Sequence, residues 1–250
     1  SGSKAFDQVT PKVGLNFRMS PLHSVYLNVG GGIEAPAGNE TDPAGTFGQD
    51  TVLAINPLLD PIRSTTYEVG TKQLVLPQSG PLASLSYDVA LYRTNVSNEI
   101  VPYRGGRFYF SAGKVGRSGV EVGLNVESRG GLGMNGAVSW SRHLYGEYLV
   151  DSVHYGVPGR TADYSKNRVV GIPNWIFNFG LSYSPRAVQN IRIQAGLQGN
   201  SAYFADDTNL VAVPGWTIAN VSAGLIEPVA VGALTFRGAV SINNLFDEKY

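Results

Sequence analysis

The chain has 250 residues, of which 43% are hydrophobic and 10% aromatic. That suits one or two domains and is too apolar for a disordered chain. Nineteen Lys+Arg balance nineteen Asp+Glu, so the basic excess of a nucleic-acid binder is missing. With no Cys, disulfides, thiolate metal sites and Cys nucleophiles are excluded. No apolar run reaches the about 18 residues of a transmembrane helix. A transmembrane strand is not excluded, because it needs only about ten residues of alternating character. The mean hydropathy of -0.04 fits such a chain and also fits a soluble β-protein.

Ser1-Gly2-Ser3 reads as an expression scar, leaving residues 4–250 for the fold. From there the dominant signal is period two. Leu85, Tyr87, Val89 and Leu91 alternate with Ser86, Asp88 and Ala90. Val120, Val122, Leu124 and Val126 alternate with Glu121, Gly123, Asn125 and Glu127. Trp175, Phe177, Phe179, Leu181 and Tyr183 repeat the pattern, as do Ile191, Ile193 and Leu197. Helical spacing of apolar residues is not found. The pattern predicts about ten strands, at roughly 8–18, 23–33, 64–76, 82–95, 107–128, 131–144, 173–184, 190–200, 215–226 and 233–243.

The connections alternate in length. Short turns are expected near Ser20-Pro21, Pro77 to Pro81, Arg129-Gly130, Pro185-Arg186 and Glu227 to Gly232. Long loops are expected near 34–63, 96–106, 145–172 and 201–214. In an up-and-down sheet this puts every short turn at one end and every long loop at the other, the arrangement of an outer-membrane barrel. Ten residues of strand, tilted by about 45°, span about 23 Å, close to the roughly 25 Å apolar band of such barrels. The polar positions are mostly Ser, Asn, Gly, Gln and Thr, with few Lys. That composition suits a wet lumen better than a soluble surface. Tyr92, Trp140, Tyr145, Trp175, Tyr183 and Trp216 fall near strand ends, where an interfacial aromatic girdle forms.

Six segments in order carry a resemblance. They are Thr66-Tyr67-Glu68-Val69-Gly70, Leu85 to Ser97, Gly113 to Glu121 with Gly119-Val120-Glu121 inside it, Gly171-Ile172-Pro173, Val213 to Thr217, and Asn244-Leu245-Phe246-Asp247-Glu248-Lys249-Tyr250. Together they resemble strand motifs of TonB-dependent outer-membrane receptors; the last matches the family's "NLFDxxY". The resemblance implies an all-β, antiparallel, up-and-down transmembrane barrel of 22 strands. This chain would correspond to its C-terminal part, with the plug domain and the final strand lying outside it. It further implies location in the bacterial outer membrane and contact with outer-membrane lipid. The implied activity is energy-coupled uptake of a ferric siderophore, cobalamin or a glycan-like ligand. The implied partner of the full-length protein is the TonB-ExbB-ExbD complex. No catalytic group, cofactor or resident metal is implied.

Candidate ligand-binding residues sit in the predicted long loops: Tyr103, Arg104 and Arg107 in one, Tyr145, Tyr148, His154, Tyr155, Arg160 and Tyr164 in a second, Tyr203, Phe204, Asp206 and Asp207 in a third. Aromatic rings and guanidinium groups stack on and hydrogen-bond to chelates and sugars. The competing reading is that these tyrosines pack the loops together. Glu121, Asn125, Glu127, Arg192 and Arg237 are expected to contact plug or water. His23, His143 and His154 have no metal-ligand spacing. His154 with Asp151 or Asp163 is the one loop set that imitates a surface protease, and Asp206-Asp207 the one acidic pair that imitates a calcium site. Two other readings stay open: a small complete outer-membrane barrel, as channel or surface enzyme, and a soluble β-rich binding module. A ten-stranded piece of a larger barrel would expose two open edges, which lipid does not tolerate.

Overall fold

A computed structural model describes residues 7–37, 46–47, 50–51, 60–103, 108–150, 159–185, 187–188 and 190–249. Ten strands form one antiparallel sheet in sequence order: β1 (Lys12–Ser20), β2 (His23–Glu34), β3 (Ile62–Val75), β4 (Leu82–Tyr103), β5 (Phe108–Ser128), β6 (Leu132–Glu147), β7 (Trp175–Tyr183), β8 (Ile191–Asn200), β9 (Trp216–Leu225) and β10 (Ala239–Ile242). The sheet is open, with β1 and β10 as its edges, and no helix occurs among the described residues.

Register follows from the alternation. Leu15, Leu27, Val69, Leu91, Val120, Trp140 and Trp175 are successive cross-strand partners, one apolar row over seven strands. A slip of one residue in any strand would turn its apolar set to the other face. The opposite face carries Ser24, Lys72, Asp88, Gly123, Ala137, Asn178 and Gln198 in a corresponding row. Hollows of about 370, 540 and 490 Å³ open on that polar face, which is therefore the concave one. The convex face exposes its apolar side chains: Phe17 is 70% accessible, Leu15 66% and Leu181 50%. A contiguous apolar surface of this extent marks a face that contacts something other than water.

On the concave side, a Cβ at Gly70 would lie 2.5 Å from the ring of Tyr26, and one at Gly119 would lie 2.6 Å from the hydroxyl of Tyr92. Both tyrosines thus lie flat across a glycine of the next strand.

The structure differs from the expected strand plan in three places. The expected loop at 96–106 is strand: β4 and β5 stay paired from Leu82 and Ser128 up to Tyr103 and Phe108, and the hairpin projects beyond its neighbours. Asn98 adopts a positive φ, yet the register is the same on either side of it, Ser97 opposite Lys114 and Glu99 opposite Ala112. The expected strand at 233–243 shrinks to Ala239–Ile242, because Leu234–Phe236 folds back on Val229–Val231 over Gly232, whose φ is 62°. The 226–238 connection is therefore longer than the other turns at its end. Finally, the six expected girdle aromatics divide. Trp140, Trp175 and Tyr183 are on the convex face, the two tryptophans 6.3 Å apart. Tyr92, Tyr145 and Trp216 share the parity of the concave positions.

Packed interior is confined to the long-loop end. Val96, Val115, Tyr145, Tyr148 and Val150 are buried there, against Ile62, Ala162, Tyr164 and Val169.

Candidate functional site: a vestibule under the long loops

Beneath that cluster, the upper concave wall forms a hollow of about 490 Å³ lined by Glu34, Thr66, Tyr92, Glu99, Arg117 and His143 among others. Arg117 Nη2 donates to both carboxylate oxygens of Glu99, at 2.6 and 2.7 Å. The Thr66 and Thr94 hydroxyls meet at 2.9 Å. Arg117 and His143 are cross-strand partners on β5 and β6. Both ring nitrogens of His143 and the Nε of Arg117 are shielded from solvent and have no hydrogen-bond partner. Polar atoms so placed are expensive to leave unpaired, and both residues line a hollow that opens to the lumen. The site offers a guanidinium, an imidazole, two carboxylates and hydroxyls, with no nucleophile–base pair in hydrogen-bond contact. It can bind a polar ligand by several contacts at once.

The roof is built around Asp207. Tyr145 and Tyr148 each donate a phenolic hydrogen bond of 3.0 Å to one of its carboxylate oxygens. Their rings meet edge-on at 4.6 Å, and Tyr164 meets Tyr148 edge-on at 5.1 Å. Asn167 Nδ2 donates to the Asp207 carbonyl at 2.7 Å. Burial first, then the charge of Asp207, pushes the Tyr148 phenol far above its ordinary range. Asp206 holds the neighbouring turn: its carboxylate accepts from the Val211 backbone N–H at 2.7 Å and from the Thr208 hydroxyl. Asn209 accepts from the Arg168 N–H and donates to the Arg168 carbonyl, tying this turn to the β6–β7 loop. Arg168 in turn sits over the Phe204 ring.

These positions redistribute the candidates. Tyr145 and Tyr148 are 1% and 2% accessible, and their hydroxyls are engaged with Asp207. Asp206 is engaged within its own turn. Tyr203 is half-buried in a two-residue ribbon with Val213. Arg160 is exposed on the loop surface. The backbone of Tyr103 pairs with Phe108 at the tip of the hairpin. Arg104, Arg107, His154, Tyr155 and Tyr250 lie outside the described residues. Asp163, the second member of the imitation protease set, accepts from the Ser165 N–H at 2.8 Å; the bonds from Ser165 hold its carboxyl below the usual range. Among the described residues, no cluster of His, Asp and Glu could hold a metal ion.

The motif residues serve the wall. Tyr67 and Val120 are on the convex face, Glu68 and Glu121 on the concave face, and Gly70 and Gly119 lie under tyrosines. Asn244 and Asp247 adopt positive φ, and Asn244 closes a tight turn through paired hydrogen bonds with the Glu248 backbone. The Leu245 N–H bonds to the Ala219 carbonyl, so this turn is fastened to β9, while Phe246 is exposed.

The sequence reading missed three structural features of this end: the bonds of Tyr145 and Tyr148 to Asp207, the Glu99–Arg117 pair and the His143 cross-strand contact. The last was within reach. Counting back along both strands from the Arg129-Gly130 turn puts His143 opposite Arg117.

An open, one-sidedly apolar antiparallel sheet with its packed loops at one end is a segment of a β-barrel wall. Residues 1–245 match the family model described as "TonB dependent receptor-like, beta-barrel". The chain belongs to that family. It is 28% identical over 199 residues to the ferrioxamine receptor of Yersinia enterocolitica, a match covering 77% of this chain and 25% of that receptor. The chain thus spans about a quarter of the length of that curated relative. Solved structures with the same fold include the siderophore receptor PiuA of Acinetobacter baumannii, at TM-score 0.64 and 21% identity, covering 86% of this chain and 29% of that one. The ferric yersiniabactin uptake receptor FyuA of Yersinia pestis aligns at TM-score 0.66 and 17% identity, covering 96% and 32%.

Proposed function

We propose that this chain is part of the wall of a bacterial outer-membrane receptor that imports a scarce metal chelate, with uptake driven through TonB-ExbB-ExbD. The observation that carries this reading is the division of the sheet into an exposed apolar convex face and a polar concave one. Lipid covers the first and the lumen wets the second. Long loops at the vestibule end face outward, and the short-turn end faces the periplasm. A ligand descending from outside meets Tyr92, Arg117 and His143 below the loop roof. The similarity to a ferrioxamine receptor makes a ferric chelate of that type the first ligand to try, with cobalamin and an oligosaccharide as alternatives.

The test is binding and uptake by the complete receptor. Titration with ferrioxamine, a ferric catecholate, cobalamin and an oligosaccharide should give saturable binding for one chelate, and uptake should stop when the inner-membrane proton gradient is collapsed. Saturable uptake that survives loss of the gradient would refute energy coupling and favour a passive channel. Under this reading, Arg117→Gln combined with His143→Ala weakens ligand binding about tenfold or more, as expected for the loss of charged hydrogen bonds.

A further inference from the structure

The concave wall divides into two sectors that the proposed function does not distinguish. Each of β1 to β5 brings permanent charge to it, through Lys12, Glu34, Glu68, Asp88 and Glu121 among others. From β7 onward charge almost vanishes: β7, β9 and β10 contain no Asp, Glu, Lys or Arg, and β8 contains only Arg192. Arg192 sits opposite Gly224 at the short-turn end, where its Nε reaches Ser184 Oγ at 3.3 Å. The rows above it are built mostly of amides, hydroxyls and glycines. Asn178 is the cross-strand partner of Gln198. The next row toward the short turns is Asn135, Gly180, Gly196 and Asn220. The row after that is Ser182, Gln194, Ser222 and Ser241. Two adjacent glycines thus floor a basin rimmed by amides and hydroxyls, and this basin is the hollow of about 370 Å³. From Asn135 to Asn220 it spans three strand spacings, or about 14 Å. A Cβ at Gly196 would meet nothing nearer than the Phe179 carbonyl oxygen, at 3.9 Å, so the space over it is open. The side chains of Asn135, Asn178, Gln194 and Gln198 are exposed and have no hydrogen-bond partner among the described residues. Asn220 Oδ1 accepts from the Asn244 N–H at 2.9 Å, which leaves its Nδ2 as a donor.

Amide side chains donate and accept at once, so they match hydroxyl and carbonyl groups in either sense. An ion laid against this sector would give up water without gaining a counter-charge. Passage along a wall needs contacts strong enough to draw a ligand in and weak enough to release it. Several neutral hydrogen bonds meet that condition better than one charge-assisted pair. We infer that the basin floored by Gly180 and Gly196 is a transit site for a ligand without net charge that is rich in hydroxyl and carbonyl groups, reached after the charged vestibule. The inference rests on the reading of the concave face as a lumen through which ligand passes. Asn178 and Gln198 receive the ligand from the loop side. Asn135 and Asn220 hold its flanks, and Gln194 with the serines passes it toward the short turns. The open floor at Gly196 gives a ring or a chelate room to lie against the wall. A neutral metal chelate and a free oligosaccharide share this chemistry, and the test separates them.

Surface binding in the cold and uptake by energised cells are measured separately on the complete receptor. The probes are a ferric trihydroxamate of zero net charge, ferric citrate and maltotriose. The neutral chelate or the sugar should be taken up about tenfold faster than ferric citrate or more, and whichever of the two it is identifies the source of the recognised groups. Gly196→Leu fills the open floor and should slow that uptake by about tenfold or more, with surface affinity kept within about twofold. N178D/Q198E puts charge at the basin with almost no change of shape. It should act in the same direction, and it covers the case in which Gly196→Leu assembles poorly. Ser86 lies on the same cross-strand row as the basin, on the charged side through Asn125 and Asn135, so Ser86→Asp is the control and should leave uptake within about twofold. Faster uptake of ferric citrate, unchanged uptake in both basin variants, or an equal loss in Ser86→Asp overturns the proposal. So does a fall in surface affinity that matches the fall in uptake, because the basin would then belong to the first binding site. A receptor that takes up none of the probes overturns the uptake reading and this proposal with it. Uptake that survives loss of the proton gradient but is slowed by the basin variants overturns energy coupling alone.

Discussion

The wall and the loop roof solve stability in opposite ways. Along β1–β10 the apolar side chains point outward and stay exposed, so the wall has almost no interior of its own. The roof has one: five buried residues with two phenols anchored on a single carboxylate. The wall depends on lipid for its apolar contacts and on register for its shape. The roof depends on one hydrogen-bonded centre. Damage to either should therefore be read by different measurements and should leave the other intact.

The sharpest separation comes from the convex face. Val89→Arg, in the middle of β4, should cost about 2–4 kcal/mol of folding into a bilayer, whereas Gln194→Arg on the concave face should cost far less. Denaturant unfolding in phospholipid vesicles measures both. Next, Asp207→Ala removes the carboxylate to which the buried Tyr145 and Tyr148 hydroxyls donate and should cost the roof about 2–3 kcal/mol. Limited proteolysis should then cut the 148–174 and 201–215 connections while heat-modifiable migration of the wall persists. If migration is lost as well, wall and roof form one cooperative unit and the comparison fails.

The roof should also carry a pH dependence. The Tyr148 pKa is raised in the folded state, so the folded form holds a proton that the unfolded form loses above its ordinary pKa of about 10. The associated stability is complete below that pH and falls as pH rises beyond it. Tyrosinate absorbance should show two phenols, Tyr145 and Tyr148, that ionise only when the roof opens, and one fewer in Tyr148→Phe. A smaller effect is expected from Glu99→Gln. It removes the charge partner of a partly exposed Arg117 and should cost about 1 kcal/mol after solvent screening. Smallest is Lys114→Ala, which breaks a pair exposed on both sides and should change stability by less than about 1 kcal/mol.

How much of this was legible follows from the range of the interactions involved. The wall is written locally. Leu85 to Leu91 and Trp175 to Tyr183 declare strand and face by alternation alone, and all ten strands of the sheet were read in sequence order. The extended β4–β5 hairpin was hidden because Asn98 and Pro102 interrupt the pattern, although the ladder runs past both. The last strand was overread because Leu234-Thr235-Phe236 alternates equally well in a local ribbon. The roof could not be read. Tyr145 and Tyr148 are about sixty residues from Asp207, and no periodicity links loops that meet only after the sheet has formed. Loop aromatics look alike in sequence whether they face a ligand or one another. Burial decides between those roles, and burial is a property of the assembled roof.

Tyr26 and Tyr92, lying across Gly70 and Gly119, keep the inner surface nearly level. An upright ring would stand several ångströms into the lumen and catch whatever moves along it. Laid flat, each behaves as a tile with a hydroxyl at its edge, and the wall there is one side chain thick. Replacing either glycine with a larger residue would lift the tile. The result would be a step in the passage rather than a hole in the wall, and a moving object would feel it as friction.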